Sequence, residues 1–184
     1  VSPWSTLKHD NIAPFIGVIG PDFCGFLGII TPNYINGDIV SYMTEHPEKD
    51  VQPFLCDIAN ALTYVHSKGL VHGELKGVSE RILSLRVIRS GLKYSFSIFQ
   101  SSIVIDNDQN ARLTDFGQLS LFEELQFAGE RGCGTYRLDV RDNFLYVAPE
   151  LLKTFLFVGS RKTIGRYTPE SDIYAFAMTM YQVS

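Results

Sequence analysis

The chain has 184 residues, room for one domain and not comfortably for two. Hydrophobic residues make up 45% and charged residues 20%, so a soluble globular protein with a sizeable core is expected. The net charge of -4 argues against nucleic-acid binding, which needs a basic footprint, and the three scattered cysteines (Cys24, Cys56, Cys133) suit free thiols in a reducing, intracellular (cytoplasmic) setting better than a disulfide framework or a zinc site.

In chain order, "VSPWSTLKHDN" lacks the basic start and apolar run of a signal peptide, and without an initiator Met the chain reads as a fragment. The longest apolar stretch, 13–30, is interrupted by Pro14, Pro21, Asp22 and glycines. It reads as two strands around "GPD" rather than a membrane span, and no membrane partner is expected. "TPNYINGD" is a connector. Asp38 can cap a short helix over "IVSYMTE", because its carboxylate accepts free backbone N–H groups.

The best helix is expected over 49–67, where Val51, Phe54, Leu55, Ile58, Leu62 and Val65 recur at three- and four-residue steps and form one apolar stripe. Lys68-Gly69 closes it. "LVHGELKG" is expected to begin as a strand and become a loop. Residues 78–100 show no clean period for strand or helix. Beyond them "SIVID" and "ARLTD" flank "NDQN", a second hairpin, since Asn and Asp tolerate turn geometry. Residues 117–147 read as loop, and "APELLKTFLF" starts a helix. "TPESDIYAFAMTMYQ" opens the last one, with Thr168 as cap, Pro169 at the first position and Glu170 in the first turn.

Three acidic elements follow in order: "HGELK", a hairpin ending in "DFG", and "APE" before a helix. Together they resemble a protein kinase, specifically most of its C-terminal lobe, from about Leu7 to the end. "HGELKG" and "TPESDIYAFAMTMYQ" are similar to tyrosine-kinase-like Ser/Thr kinases common in fungi. The resemblance implies an α+β, mainly α fold: a kinase-like C-lobe with a residual N-lobe β-hairpin and a short catalytic β-hairpin. Residues 1–30 would end the N-lobe, 31–37 form the hinge and 38–184 the C-lobe. ATP and Mg2+ are the implied cofactors, and a protein of unknown identity the implied substrate.

Phosphoryl transfer needs metal held against the phosphates, an aligned hydroxyl and charge compensation, with little covalent help. By the resemblance, Asp115 is the Mg2+-binding carboxylate at a strand end, with Phe116 packing inward and Gly117 letting the chain turn. Alone, such an Asp could equally open a β-turn. Glu74 stands where the family has its catalytic Asp. The two acids differ by only about 0.4 pK unit. Geometry is the obstacle, since a misplacement of about 1 Å can cost on the order of a hundredfold. Lys76 resembles the lysine that touches the transferred phosphate; the plain alternative is a solvated loop charge.

Gly73 replaces an Arg that in many relatives pairs with a phosphorylated activation loop, so no such switch is expected. His72 is expected to pack beneath Phe116 rather than act as a base. Thr31 matches the back of the adenine pocket, and Pro32, Asn33 and Tyr34 the hinge; a ligand-free turn after a strand is the alternative. Asp172 resembles a buried carboxylate that braces the catalytic loop from the last helix. Glu150 resembles one whose Arg partner would lie further along the chain.

The family's second metal ligand is an Asn five residues after the catalytic acid. Direct counting from Glu74 reaches Ser79. With 78–100 cut out the chain reads "HGELKGSSIVIDNDQNARLTDFG" and the place falls on Ser102. Either way a hydroxyl replaces an amide oxygen, which is the better Mg2+ ligand. The excised stretch, "VSERILSLRVIRSGLKYSFSIFQ", has 23 residues. Its first codon begins GT, its last can be CAG, and "VSE" can be written GTGAGTGAG. Those are splice-site letters, and the hypothesis is a translated intron, with a true surface insertion as the alternative. A transcript that always keeps these codons excludes the intron. The basic run within it, Arg81 to Lys93, is read as a solvated loop before any acidic lipid or nucleic-acid contact.

Residues 138–145 separate "GTYR" from "YVAPE" and are too few for an ordinary intron. Without them the loop is of the Ser/Thr type, and Thr135 would bridge Lys76 and Glu74. No glycine-rich loop, strand lysine or partner Glu precedes Asn11, so the roof of the ATP site is missing from the chain and exposed apolar surface is expected at both ends. Three readings follow: a kinase-family chain, weak or inactive as it stands; a pseudokinase binding module; or a non-functional fragment of a misread gene.

Overall fold

A computed structural model describes residues 3–19, 28–77, 85–89, 92–96, 101–116, 144–152 and 167–184, with the backbone alone for 85–89 and 92–96. Helices and small two-stranded antiparallel sheets mix in an α+β arrangement. After a 3-10 turn at Pro3–Thr6 come β1 (Gly17–Ile19) and β2 (Gly28–Ile30), paired with Val18 opposite Ile29. Then follow α1 (Ile39–Glu45), α2 (Gln52–Ser67), the hairpin β3 (Leu85–Arg89) and β4 (Leu92–Phe96), the hairpin β5 (Ile103–Ile105) and β6 (Ala111–Leu113), a 3-10 turn at Phe144–Tyr146, and α3 (Pro169–Val183).

Local chemistry explains most boundaries. Asp38 caps α1 as expected, its Oδ1 accepting from the N–H groups of Val40 (3.1 Å) and Ser41 (3.0 Å). α2 begins at Gln52, three residues later than expected, because Asp50 Oδ1 accepts the Gln52 N–H at 3.0 Å and Pro53 stands in the first turn. Its buried stripe is Phe54, Ile58, Ala61, Leu62 and Val65, whereas Val51 falls at the cap. α3 opens on a capping box in which Thr168 accepts the Ser171 N–H and Ser171 the Thr168 N–H. Residues 149–152 are helical, and the rest of the expected helix there lies outside the described residues.

Three expectations change. Residues 70–77 form no strand but run as loop. In the β5–β6 turn the residue with positive φ is Gln109 (φ 63), not an Asn or Asp. Asp106 still organises that turn, accepting from the N–H groups of Asp108 (3.0 Å) and Asn110 (2.8 Å). Within 78–100, where no period was legible, β3 and β4 pair as a hairpin with Val87 opposite Tyr94.

The β5–β6 hairpin is the centre of the core. Ile103, Ile105, Ala111 and Leu113 are all fully buried. The leading segment bonds to it through Ala13 N–H to Leu113 O (2.8 Å) and Leu113 N–H to Asn11 O (2.9 Å), and Ile105 N–H reaches Gly37 O (2.9 Å). α2 packs on β6, and α3 packs on the 144–146 turn and on both other helices. Ile16, Val18 and Ile30 around the first hairpin and Ile173 and Tyr181 on α3 are exposed. Among the described residues no helix is long and apolar enough to cross a membrane. Cys56 is an exposed free thiol, while Cys24 and Cys133 lie outside the described residues.

Candidate active site

Residues 72–77 are strung between α3 and the β5–β6 hairpin. Asp172, 1% exposed in the first turn of α3, holds the loop: Oδ2 accepts the His72 N–H at 2.8 Å and Oδ1 the Gly73 N–H at 2.9 Å. His66, in the last turn of α2, meets Asp172 Oδ2 at 2.9 Å through Nε2. One carboxylate thus ties α2, α3 and the loop together, and it consumes the backbone donors that a strand would have used. Gly77 sits where side chains close in, since a Cβ there would lie 2.9 Å from Thr179 Cγ2 and 3.4 Å from Val40 Cγ2.

His72 is fully buried. The Glu74 N–H donates to its Nδ1 (3.3 Å), which leaves the proton on Nε2, and Nε2–H donates to Thr114 O at 2.9 Å. Both ring nitrogens are engaged, so no lone pair remains for base catalysis. Burial pushes the imidazole below its ordinary 6.5, against the opposing pull of the Asp172 charge, the Thr114 bond and Glu74, with nearby His66 adding to the depression. The sign for stability follows. A histidine depressed in the folded state contributes fully above about pH 6.5, the unfolded value, and that contribution is lost as pH falls toward the folded value. Urea unfolding at pH 7.5, 6.5 and 5.5 is expected to show stability falling below 6.5, with a limiting slope of about 1.4 kcal/mol per pH unit from this group. His72→Gln should flatten the profile; an identical slope in that variant contradicts the assignment.

The same loop brings together Glu74, Lys76 and Ser102. Lys76 is buried, with Nζ 3.3 Å from Glu74 Oε1. The Ser102 N–H donates to Lys76 O (3.0 Å) and its hydroxyl to Glu74 O (2.5 Å). The Thr114 N–H donates to Ser102 O at 2.9 Å, and Asp115, half-buried, comes next with φ 64. Left-handed geometry in a non-glycine residue costs about 1 kcal/mol or more and turns the chain sharply as it leaves β6. Ser102 therefore lies against Glu74, while Ser79, Gly117 and Thr135 lie outside the described residues. Ser101 Oγ is 3.4 Å from Gly77 O, so the two edges of the 78–100 segment meet.

Among the described residues no three His, Cys, Asp or Glu side chains form a metal cage. Mg2+ brought in by phosphates is commonly held by one or two carboxylates plus substrate oxygens. Of the two residues expected at that place, Asp115 offers a carboxylate, and Ser102 only a hydroxyl, which donates to Glu74 O. Thr31 and Asn33 follow β2, Thr31 partly buried and Asn33 exposed. The buried hydroxyl of Tyr34 has no hydrogen-bond partner among the described residues, and burial pushes its ionisation up.

Aromatic rings continue inward from the loop. His72 packs on Phe116 with centroids 4.6 Å apart, as expected, Phe116 on Trp4 at 5.6 Å, and Trp4 on Phe15 at 5.8 Å. Sequence reasoning missed Trp4, Phe15, His66 and Tyr167, whose ring stands against Gly73. Only the single Trp in the chain offered any signal.

No family model matches the chain. Curated relatives at low identity are protein kinases. The chain is 25% identical to an L-type lectin-domain containing receptor kinase V.5 of Arabidopsis thaliana across 100% of its own length and 23% of the relative's. It is 26% identical to the NUAK family SNF1-like kinase 2 of Rattus norvegicus, covering 96% of the chain and 22% of that protein. It is 24% identical to the serine/threonine-protein kinase ppk21 of Schizosaccharomyces pombe, over 80% of the chain and 21% of the relative. The chain thus spans under a quarter of the length of these relatives. Their names, with the mixed fold, support a protein-kinase domain.

Proposed function

We propose that the chain is part of a protein-kinase domain of the tyrosine-kinase-like Ser/Thr type, whose parental activity is Mg-ATP-dependent phosphoryl transfer to a protein hydroxyl. One observation carries the reading: the Glu74–Lys76 loop, Ser102 and Thr114, which directly precedes Asp115, are joined by direct hydrogen bonds although they lie far apart in sequence. In this reading Glu74 orients the substrate hydroxyl, Lys76 and Thr135 attend the transferred phosphate, Asp115 and Ser102 hold Mg2+, and Thr31, Asn33 and Tyr34 line the adenine side. Residues 31–37 are then the hinge, with 138–145 inserted where a peptide substrate docks. The Glu74 substitution and the Ser102 hydroxyl, directed at a backbone carbonyl, favour a second reading, a binding module without catalysis.

Thermal melting with and without Mg-ATP, followed by phosphate incorporation into a generic protein substrate, separates the two. Stabilisation by Mg-ATP with incorporation that falls at least tenfold in Asp115→Asn is the expected result, because charge stabilisation and positioning carry this chemistry. A folded chain indifferent to Mg-ATP supports the binding module and sinks the enzyme.

A further inference from the structure

Gly73, next to Glu74 in the candidate catalytic loop, has no side chain to restrain it. Its φ is +80, a conformation glycine adopts freely and leaves as freely. Its N–H is one of the two amides bonded to Asp172. Against it stands Tyr167: a Cβ built on Gly73 would lie 3.5 Å from Tyr167 Cγ, 3.7 Å from Cβ and 3.7 Å from Cδ2. Tyr167 is itself well placed, since it directly precedes Thr168, the cap of α3. Burial, then the charges of Glu74 and Asp172, push its phenol up to about 12, so a neutral ring faces both carboxylates at ordinary pH.

We propose that Tyr167 is a positioning residue for Glu74: its ring clamps the Gly73 backbone onto the Asp172 carboxylate and thereby fixes the direction in which the next side chain leaves the loop. What Glu74 does in that direction rests on the kinase reading. The physical content is the exclusion of alternatives. The ring fills the space into which the glycine would swing and keeps water from competing for the two amide–carboxylate bonds, which are strong only while dry. With glycine at position 73, the restraint comes from the start of α3 instead of from the loop itself. The catalytic loop is then set as soon as α3 is capped, without a charge supplied from elsewhere.

Three variants test it: Tyr167→Phe, Tyr167→Leu and Tyr167→Ala, read by amide hydrogen exchange and by steady-state kinetics. Tyr167→Phe keeps the ring and is expected to leave exchange at His72 and Gly73 within about twofold of the parent. Tyr167→Leu and Tyr167→Ala are expected to speed exchange at these two amides by about tenfold or more while amides of Ile58 to Val65 in α2 stay unchanged. On the kinase reading, Tyr167→Leu also lowers kcat about tenfold or more with KM for ATP within about twofold, since Glu74 aims the hydroxyl and does not hold the nucleotide. Unchanged exchange at Gly73 in Tyr167→Leu overturns the clamp, as does a uniform rise across α2 and the loop. Should Tyr167→Ala fail to fold, Tyr167→Leu still decides. A parent chain without turnover overturns the kinase reading alone, and the exchange comparison then decides the clamp independently.

Discussion

Asp172→Ala is expected to lower the free energy of unfolding by about 3–5 kcal/mol, enough to unfold a marginally stable domain. The carboxylate accepts three donors from two other parts of the chain, the His72 and Gly73 amides and His66 Nε2. Removing it leaves two buried or part-buried backbone N–H groups unpaired, each at about 1–3 kcal/mol, together with the imidazole. Asp172→Asn keeps one carbonyl oxygen and the shape, and is expected to cost about half as much. Urea titration gives both values, with the m-value as a check that the unfolded state is unchanged. A loss under about 1 kcal/mol in the alanine variant would mean that water or another group satisfies those amides, and that the brace is not structural.

The second large effect has the opposite sign. Deleting residues 78–100 and joining Gly77 to Ser101 is expected to stabilise the fold. Ser101 Oγ lies 3.4 Å from Gly77 O and the Ser102 N–H is bonded to Lys76 O, so the two edges already touch. β3 and β4 hydrogen-bond as a separate two-stranded sheet. Shrinking a loop of some two dozen residues to almost nothing removes about 2 kcal/mol of closure entropy. For a chain of this size that corresponds to about 4–8 °C in melting temperature. A deletion variant that melts lower than the parent would show that the segment contributes contacts of its own, and would count against the hypothesis of a translated intron.

The sequence was most readable where chemistry is local. Asp38 and Thr168 announce their helices because a cap needs only the next three residues, and the stripe from Phe54 to Val65 is written at helical spacing. The β5–β6 hairpin was legible from two apolar runs about a polar turn. The ordered "HGELK", "DFG" and "APE" single out Glu74, Lys76 and Asp115 by resemblance alone. What failed was set at long range. Residues 70–77 look strand-like, but the His72 and Gly73 amides are taken by a carboxylate about a hundred residues away. Leu92, Tyr94 and Phe96 alternate with Lys93 and Ser95, a period hidden when 78–100 is read as one block. Trp4, His66 and Tyr167 carry no motif, since their importance lies entirely in what the fold brings beside them.

The indole of Trp4 is the chain's single one, and its ring column passes through Phe116 to the imidazole of His72. The molecule therefore carries its own optical gauge. Excitation at the red edge of indole absorption addresses one chromophore, linked through Phe116 to the candidate loop. A shift in its emission reports a disturbance of that loop without any label being introduced.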